Sequence, residues 1–137
     1  MQWIYNIGDL YCEIQMKILI IDNSVEMIER LEEIISEASV SAIIYGALSY
    51  EAALKSFKEN MPEVVLLDIS LSGNRAITIL KEIKEIEPAT TIIVLSINTD
   101  DKLKEQCRIL SADFFLDKYY EFEKIPSIIN DIPVKKR

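Results

Sequence analysis

Val64-Val65-Leu66-Leu67-Asp68-Ile69 is the stretch on which the fold turns. Four consecutive aliphatic residues with no polar alternation describe a strand buried on both faces, the habit of a parallel sheet covered by helices. The run stops on a carboxylate. A second stretch repeats the design: Lys17-Ile18-Leu19-Ile20-Ile21-Asp22, followed by Asn23 and Ser24. In open parallel sheets, ligands bind beyond the carboxyl ends of the strands. Two strands that each deliver an Asp there predict one acidic pocket.

Outward from these two strands, apolar runs alternate with segments of helical period from Met16 onward. Strands are expected at residues 17–22, 40–45 (ended by Gly46), 64–69, 91–96 and 114–116. A first helix is expected at 24–37, with Val25, Ile28, Leu31, Ile34 and Ile35 at helical spacing. A second, at 50–59, presents Ala53, Leu54 and Phe57 and is stopped by Asn60-Met61-Pro62. After a loop at 70–74, a third runs to Ile86 with Ile77, Leu80, Ile83 and Ile86 on one side, closed by Pro88. The last two span 102–110 and 121–131, the latter with Pro126 as an interior blemish. This alternation predicts an α/β fold: a (βα)5, doubly wound, five-stranded parallel sheet in a three-layer sandwich. Right-handed crossovers leave few topologies, and the flavodoxin-like order 2-1-3-4-5 is the one expected.

Residues 1–15 stand outside the alternation. They read as an N-terminal extension: an upstream start wrongly included, an appended helix or dimer contact, or a disordered segment made sticky by Trp3, Tyr5 and Tyr11. Residues 16–131 make the domain. Residues 132–137 make a basic tail, ending in Lys135-Lys136-Arg137 and read as solvated.

Composition narrows the function. The 137 residues are one domain's worth, and half of them are apolar with only three glycines, which separates a globular chain from a disordered one. A net charge of -8 argues against nucleic acid or an anionic membrane as partner. There is no His, and Cys12 and Cys107 are far apart with no CxxC, so a zinc site or a Cys–His nucleophile is not expected. Nor can the chain be its own phosphohistidine donor. No run approaches the roughly 20 apolar residues of a membrane span, and the N-terminus lacks a signal peptide's pattern. A cytoplasmic, reduced protein is expected.

The strand ends gather the chemistry. Asp22 and Asn23, then Asp68, Ser96 and Asp117-Lys118, all leave the sheet at one edge. Two carboxylates and an amide oxygen make a hard site suited to Mg²⁺. Ser96 and Lys118 opposite them suit phosphoryl oxygens, as hydrogen-bond donor and point charge. On these residues the chain resembles the receiver domain of bacterial and archaeal response regulators over about residues 16–131. The resemblance is carried by Ile18-Leu19-Ile20-Ile21-Asp22, Pro62-Glu63-Val64-Val65-Leu66-Leu67-Asp68, Val94-Leu95-Ser96 and Ala112-Asp113-Phe114-Phe115-Leu116-Asp117-Lys118, four motifs in order.

The resemblance implies that Asp68 is the phosphoacceptor, supplied by the phosphohistidine of a histidine kinase or phosphotransfer protein. It implies that Asp22, Asn23, Asp68 and the Ser70 backbone carbonyl hold Mg²⁺, and that Ser96 and Lys118 are the catalytic pair gripping the acyl phosphate. It makes Ser96 and Phe115 the switch. Ser96 moves inward, Phe115 rotates in, and the face of helix 4, strand 5 and helix 5 is reshaped for a downstream protein target or a homodimer. Ile97, Ser70 and Asn98 flank the pocket and modulate access. With no output domain after the last helix, the chain reads as a single-domain response regulator of a two-component phosphorelay. The resemblance implies no metabolic enzyme, and at most self-phosphorylation and slow self-dephosphorylation of Asp68.

Several residues depart from the family's pattern. Asn23 replaces the second acid after strand 1, and Ile97 stands where Ala or Gly is usual. Tyr119 replaces the Pro after Lys118, so Lys118 is expected to be placed less tightly. Ser72 replaces a loop Pro. Asn23 and Glu26 also have capping-box spacing, which leaves open a purely structural role for Asn23. Asn23 and Ile97 favour a second reading, a pseudo-receiver acting as a phosphorylation-independent interaction module. A third, a small-ligand or nucleotide protein, lacks a Gly-rich phosphate loop, since Asn23-Ser24-Val25-Glu26 stands there.

Overall fold

The computed structural model describes residues 2–6, 9–13, 15–38, 41–71 and 75–134. A hairpin of β1 (Gln2–Asn6) and β2 (Asp9–Glu13) comes first. It is followed by β3 (Met16–Ile21), α1 (Val25–Glu37), β4 (Ala42–Ala47), α2 (Tyr50–Asn60), β5 (Val64–Asp68) and α3 (Arg75–Ile86). Then come β6 (Thr91–Ser96), α4 (Asp101–Ile109), β7 (Phe114–Asp117), a 3-10 turn (Phe122–Lys124) and α5 (Ile125–Asn130). Strands β3 to β7 form one sheet in the order β4-β3-β5-β6-β7, every pair parallel. Counted from β3, that is 2-1-3-4-5, as expected.

The unbroken aliphatic runs are explained by two cores, one on each face. Successive strand residues point to opposite faces. Leu19, Ile21, Val65, Leu67, Ile92 and Val94 meet Phe57 of α2 and Ile79, Leu80 and Ile83 of α3. Ile18, Ile20, Val64, Leu66, Ile93 and Leu95 meet Leu31 and Ile35 of α1 and Ile125 and Ile129 of α5. All of β5 is buried, so Asp68 leaves the sheet at its centre.

Four local expectations change. Residues 2–6 and 9–13 pair as antiparallel strands, so the extension is not an appended helix; Trp3, Ile4, Tyr5 and Tyr11 are residue types that favour strands. Strand β4 runs on through Gly46, paired with Ile20, to Ala47. A Cβ at Gly46 would lie 3.1 Å from Ile28 Cγ2, so α1 settles onto bare backbone there. The face of α3 that is buried is Ala76, Ile79, Leu80 and Ile83, while Ile86 is exposed. A row spaced strictly by three falls back about 60° per step on a 3.6-residue helix, so Ile86 winds away from the core. Pro126 does not sit inside one long helix. The 3-10 turn ends before it, and it occupies the first turn of α5, where its missing N–H is not needed. Val40, Ser72 and the Lys135-Lys136-Arg137 tail lie outside the described residues. Among the described residues, no helix is long and apolar enough to cross a membrane.

Candidate functional site

The sheet holds the apolar runs, and the polar residues of the site stand at or just past their carboxyl ends. Asp22 follows β3, Asp68 ends β5, Ser96 ends β6, and Lys118 follows Asp117 at the end of β7. Each of the two central carboxylates uses one oxygen on its own loop. The Ser24 N–H donates to Asp22 Oδ1 at 2.9 Å and the Ser70 N–H to Asp68 Oδ1 at 3.0 Å, both Asx turns. The Ser70 hydroxyl adds a second bond to Asp68 Oδ1, at 2.7 Å. The other oxygens converge: Lys118 Nζ lies 2.9 Å from Asp22 Oδ2 and 3.1 Å from Asp68 Oδ2.

All three groups are buried, Asp22 and Asp68 at 1% exposure and Lys118 at 8%. Burial works against the Lys118 charge. The attraction of Asp22 and Asp68 outweighs it, and the ammonium's pKa is raised above the ordinary 10.5. Two carboxylates against one ammonium leave the triad one negative charge in excess, an uncompensated buried charge that a cation would relieve. Asp22 Oδ2 is buried without a well-directed hydrogen bond, its Lys118 contact being an ion pair. A divalent ion therefore fits the donor set. Among the described residues no third Asp, Glu, His or Cys completes a cluster, so such an ion would rely on an amide or backbone oxygen and on water, as Mg²⁺ does.

The remaining expected residues are arranged around this triad. Asn23 is exposed at its rim and does not cap α1. Ser24 does, its Oγ accepting the Met27 N–H at 3.2 Å and donating to Glu26 Oε2. Ser96 is buried, and its hydroxyl is engaged with its own loop, donating to Asn98 O at 2.6 Å and accepting the Asn98 N–H at 2.9 Å. Ile97 and Asn98 are exposed. Phe115 is half-buried against the core under α2 and α3, with Lys104 Nζ of α4 5.8 Å from its ring centre.

Two features escaped the sequence reading. One is the Ser70 hydroxyl on Asp68, whose clue was a Ser two residues after a strand-end Asp. The other is the turn after Lys118, where Asp117 Oδ1 accepts the N–H groups of Tyr119 and Tyr120, both at 2.9 Å, and Glu121 Oε1 accepts the Asp117 N–H at 3.0 Å. Its clue was a pair of acids at 117 and 121.

Two buried strand-end carboxylates sharing an ammonium, on a sheet of order 2-1-3-4-5, invite comparison with known proteins. The model of the response regulator receiver domain matches residues 18–130. The chain belongs to that family. This receiver is 26% identical over 116 residues to the chemotaxis protein CheY of Thermotoga maritima, covering 85% of this chain and 96% of that protein. It is 26% identical over 114 residues to CheY of Bacillus subtilis, covering 83% and 94%. Among solved structures, the receiver is similar to a chain of the CheX-CheY-BeF3-Mg²⁺ complex from Borrelia burgdorferi. That match has a TM-score of 0.77 and 26% identity, and it covers 89% of this chain and 92% of that one. A receiver of the CheY type places the chain in two-component signalling.

Proposed function

We propose that this receiver takes a phosphoryl group on Asp68 from the phosphohistidine of a histidine kinase or phosphotransfer protein, and signals in the cytoplasm by binding a protein target. The observation that carries the reading is the convergence of Asp22 Oδ2, Asp68 Oδ2 and Lys118 Nζ in one buried pocket. Asp68 Oδ2, the oxygen not tied to its own loop, attacks phosphorus. The P–N bond to the donor imidazole breaks, and its electron pair returns to the ring. Mg²⁺, held by Asp22, Asn23, Asp68 and the Ser70 carbonyl, would neutralise charge on the phosphoryl oxygens. Lys118 needs only to turn its ammonium from the carboxylates to the arriving oxygens. Ser96 exchanges its bonds to Asn98 for one to the phosphoryl group, and space opens for Phe115. The face of α4, β7 and α5, where Ile109 and Phe114 are exposed, then engages the target or a second copy.

The receiver from B. burgdorferi was solved with BeF3 and Mg²⁺, and its likeness supports the same ligand chemistry here. The test is incubation with acetyl phosphate and Mg²⁺, followed by intact mass. A gain of one phosphoryl group, lost in Asp68→Asn, is expected; labelling that persists in that variant would move the phosphate elsewhere.

One observation favours a second reading, the pseudo-receiver. Lys118 already spans both carboxylates, and Asn23 withholds a third negative charge, so the pocket carries one excess negative charge where a second acid after β3 would leave two. That reading expects no Mg²⁺ binding in a calorimetric titration, whereas the phosphoacceptor reading expects a saturable site lost in Asp22→Asn.

A further inference from the structure

We infer that Asp117 is the positioning residue for Lys118, an inference that rests on the phosphoacceptor reading for its effect on rate but not for its effect on geometry. Lys118 is the first residue beyond β7. The last register pair is Ser96 with Asp117, and the last rung is the Lys118 N–H to Ser96 O at 2.9 Å. Past that rung, Tyr119 is 59% exposed and Tyr120 88%, so no buried side chain anchors the turn. The family's pattern has Pro after the lysine, whose ring fixes φ. Tyr119 has no ring constraint, but it has an N–H, and Asp117 takes it.

Asp117 Oδ1 accepts from both Tyr119 and Tyr120 at 2.9 Å. Glu121 closes the same turn from the other side: its Oε1 accepts the Asp117 N–H at 3.0 Å and its own N–H donates to Asp117 O at 3.1 Å. Lys124 Nζ holds the second Glu121 oxygen at 2.6 Å. The lysine thus sits between two residues whose backbone is clamped, and its ammonium arrives within 2.9 Å and 3.1 Å of its two carboxylates. Tyr119 in place of Pro and Asp at 117 are two halves of one device.

The test compares Asp117→Ala and Asp117→Asn in the full chain. Asn keeps the Oδ1 acceptor and removes only the charge. Brief acetylation with acetic anhydride, read by peptide mass spectrometry, reports Lys118 directly, with exposed Lys55 as internal control. Lys118 is protected in the parent chain and in Asp117→Asn. In Asp117→Ala its modification rises severalfold relative to Lys55. The initial rate of labelling by acetyl phosphate falls about 10- to 100-fold in Asp117→Ala, the scale of a displacement near 1 Å, and is nearly unchanged in Asp117→Asn. Lys118 staying protected in Asp117→Ala, or Asn behaving like Ala, overturns the inference. Should Asp117→Ala not fold by circular dichroism, Asp117→Val, a strand former with no acceptor, reads the same loss. A parent chain that takes no phosphate while Lys118 still responds to Asp117→Ala refutes the phosphoacceptor reading and upholds the positioning role.

Discussion

The two oxygens of Asp68 have different lives. Oδ1 accepts the N–H and the hydroxyl of Ser70, and Oδ2 faces Lys118. A hydroxyl bond to Oδ1 favours the free carboxylate over the acyl phosphate, because the mixed-anhydride carbonyl left at Oδ1 is the weaker acceptor. Ser70→Ala removes one such bond, worth about 1 kcal/mol, so phospho-Asp68 should decay about 5-fold more slowly, read by following the intact mass after acetyl phosphate is removed. Asn23→Asp restores a carboxylate at the rim and should tighten Mg²⁺ about tenfold, roughly 1.4 kcal/mol, in a calorimetric titration. Because Ser24 rather than Asn23 caps α1, the same change should leave stability within about 0.5 kcal/mol. At this scale Asp22 and Asp68 were legible, each lying at the end of an aliphatic run, and Lys118 through the motif Ala112-Asp113-Phe114-Phe115-Leu116-Asp117-Lys118. The Ser70 hydroxyl and the Asp117 clamp were not, because periodicity carries no information on where a lone pair points. The capping-box spacing left a cap at Asn23 open; the cap is Ser24, in extended backbone at φ -107 and ψ 117.

Among the elements, α1 connects the pocket to the core. Its N-terminus is set by Ser24, whose backbone N–H goes to Asp22 and whose Oγ takes the Met27 N–H. Ser24→Ala should cost about 1 kcal/mol of stability, seen as a lower urea midpoint with unchanged slope. Strand positions were readable because β3, β5 and β6 are buried on both faces and so contain little but Ile, Val and Leu. Helix faces were less so. A row spaced by three looks like a stripe in α3 but spirals, and Pro126 looks like a defect until the 3-10 turn before it is seen. Gly46 looked like a terminator, yet it lies within β4 because Ile28 occupies the space a side chain would need.

For the whole molecule, strict alternation of strands and helices gave the parallel sheet, and its order was the flavodoxin-like one among the few that right-handed crossovers leave. The β1–β2 hairpin did not emerge this way, since fifteen residues outside the repeat give no second element to pair against by pattern alone. The pocket's excess negative charge gives a global signature. If Mg²⁺ binds the folded state alone, a concentration near 100 times its dissociation constant should add about 2.7 kcal/mol, raising the thermal midpoint reversibly with EDTA and not at all in Asp22→Asn. The loops at this edge share one habit: Asp22, Asp68, Asn98 and Asp117 each accept, through Oδ1, the N–H two residues ahead. The pocket is thus assembled from separately tied corners rather than from one continuous web. Among the described residues, only the Lys118 ammonium then joins the corners of Asp22 and Asp68 through side chains, so a single moving group can couple the two without either loop changing its own turn.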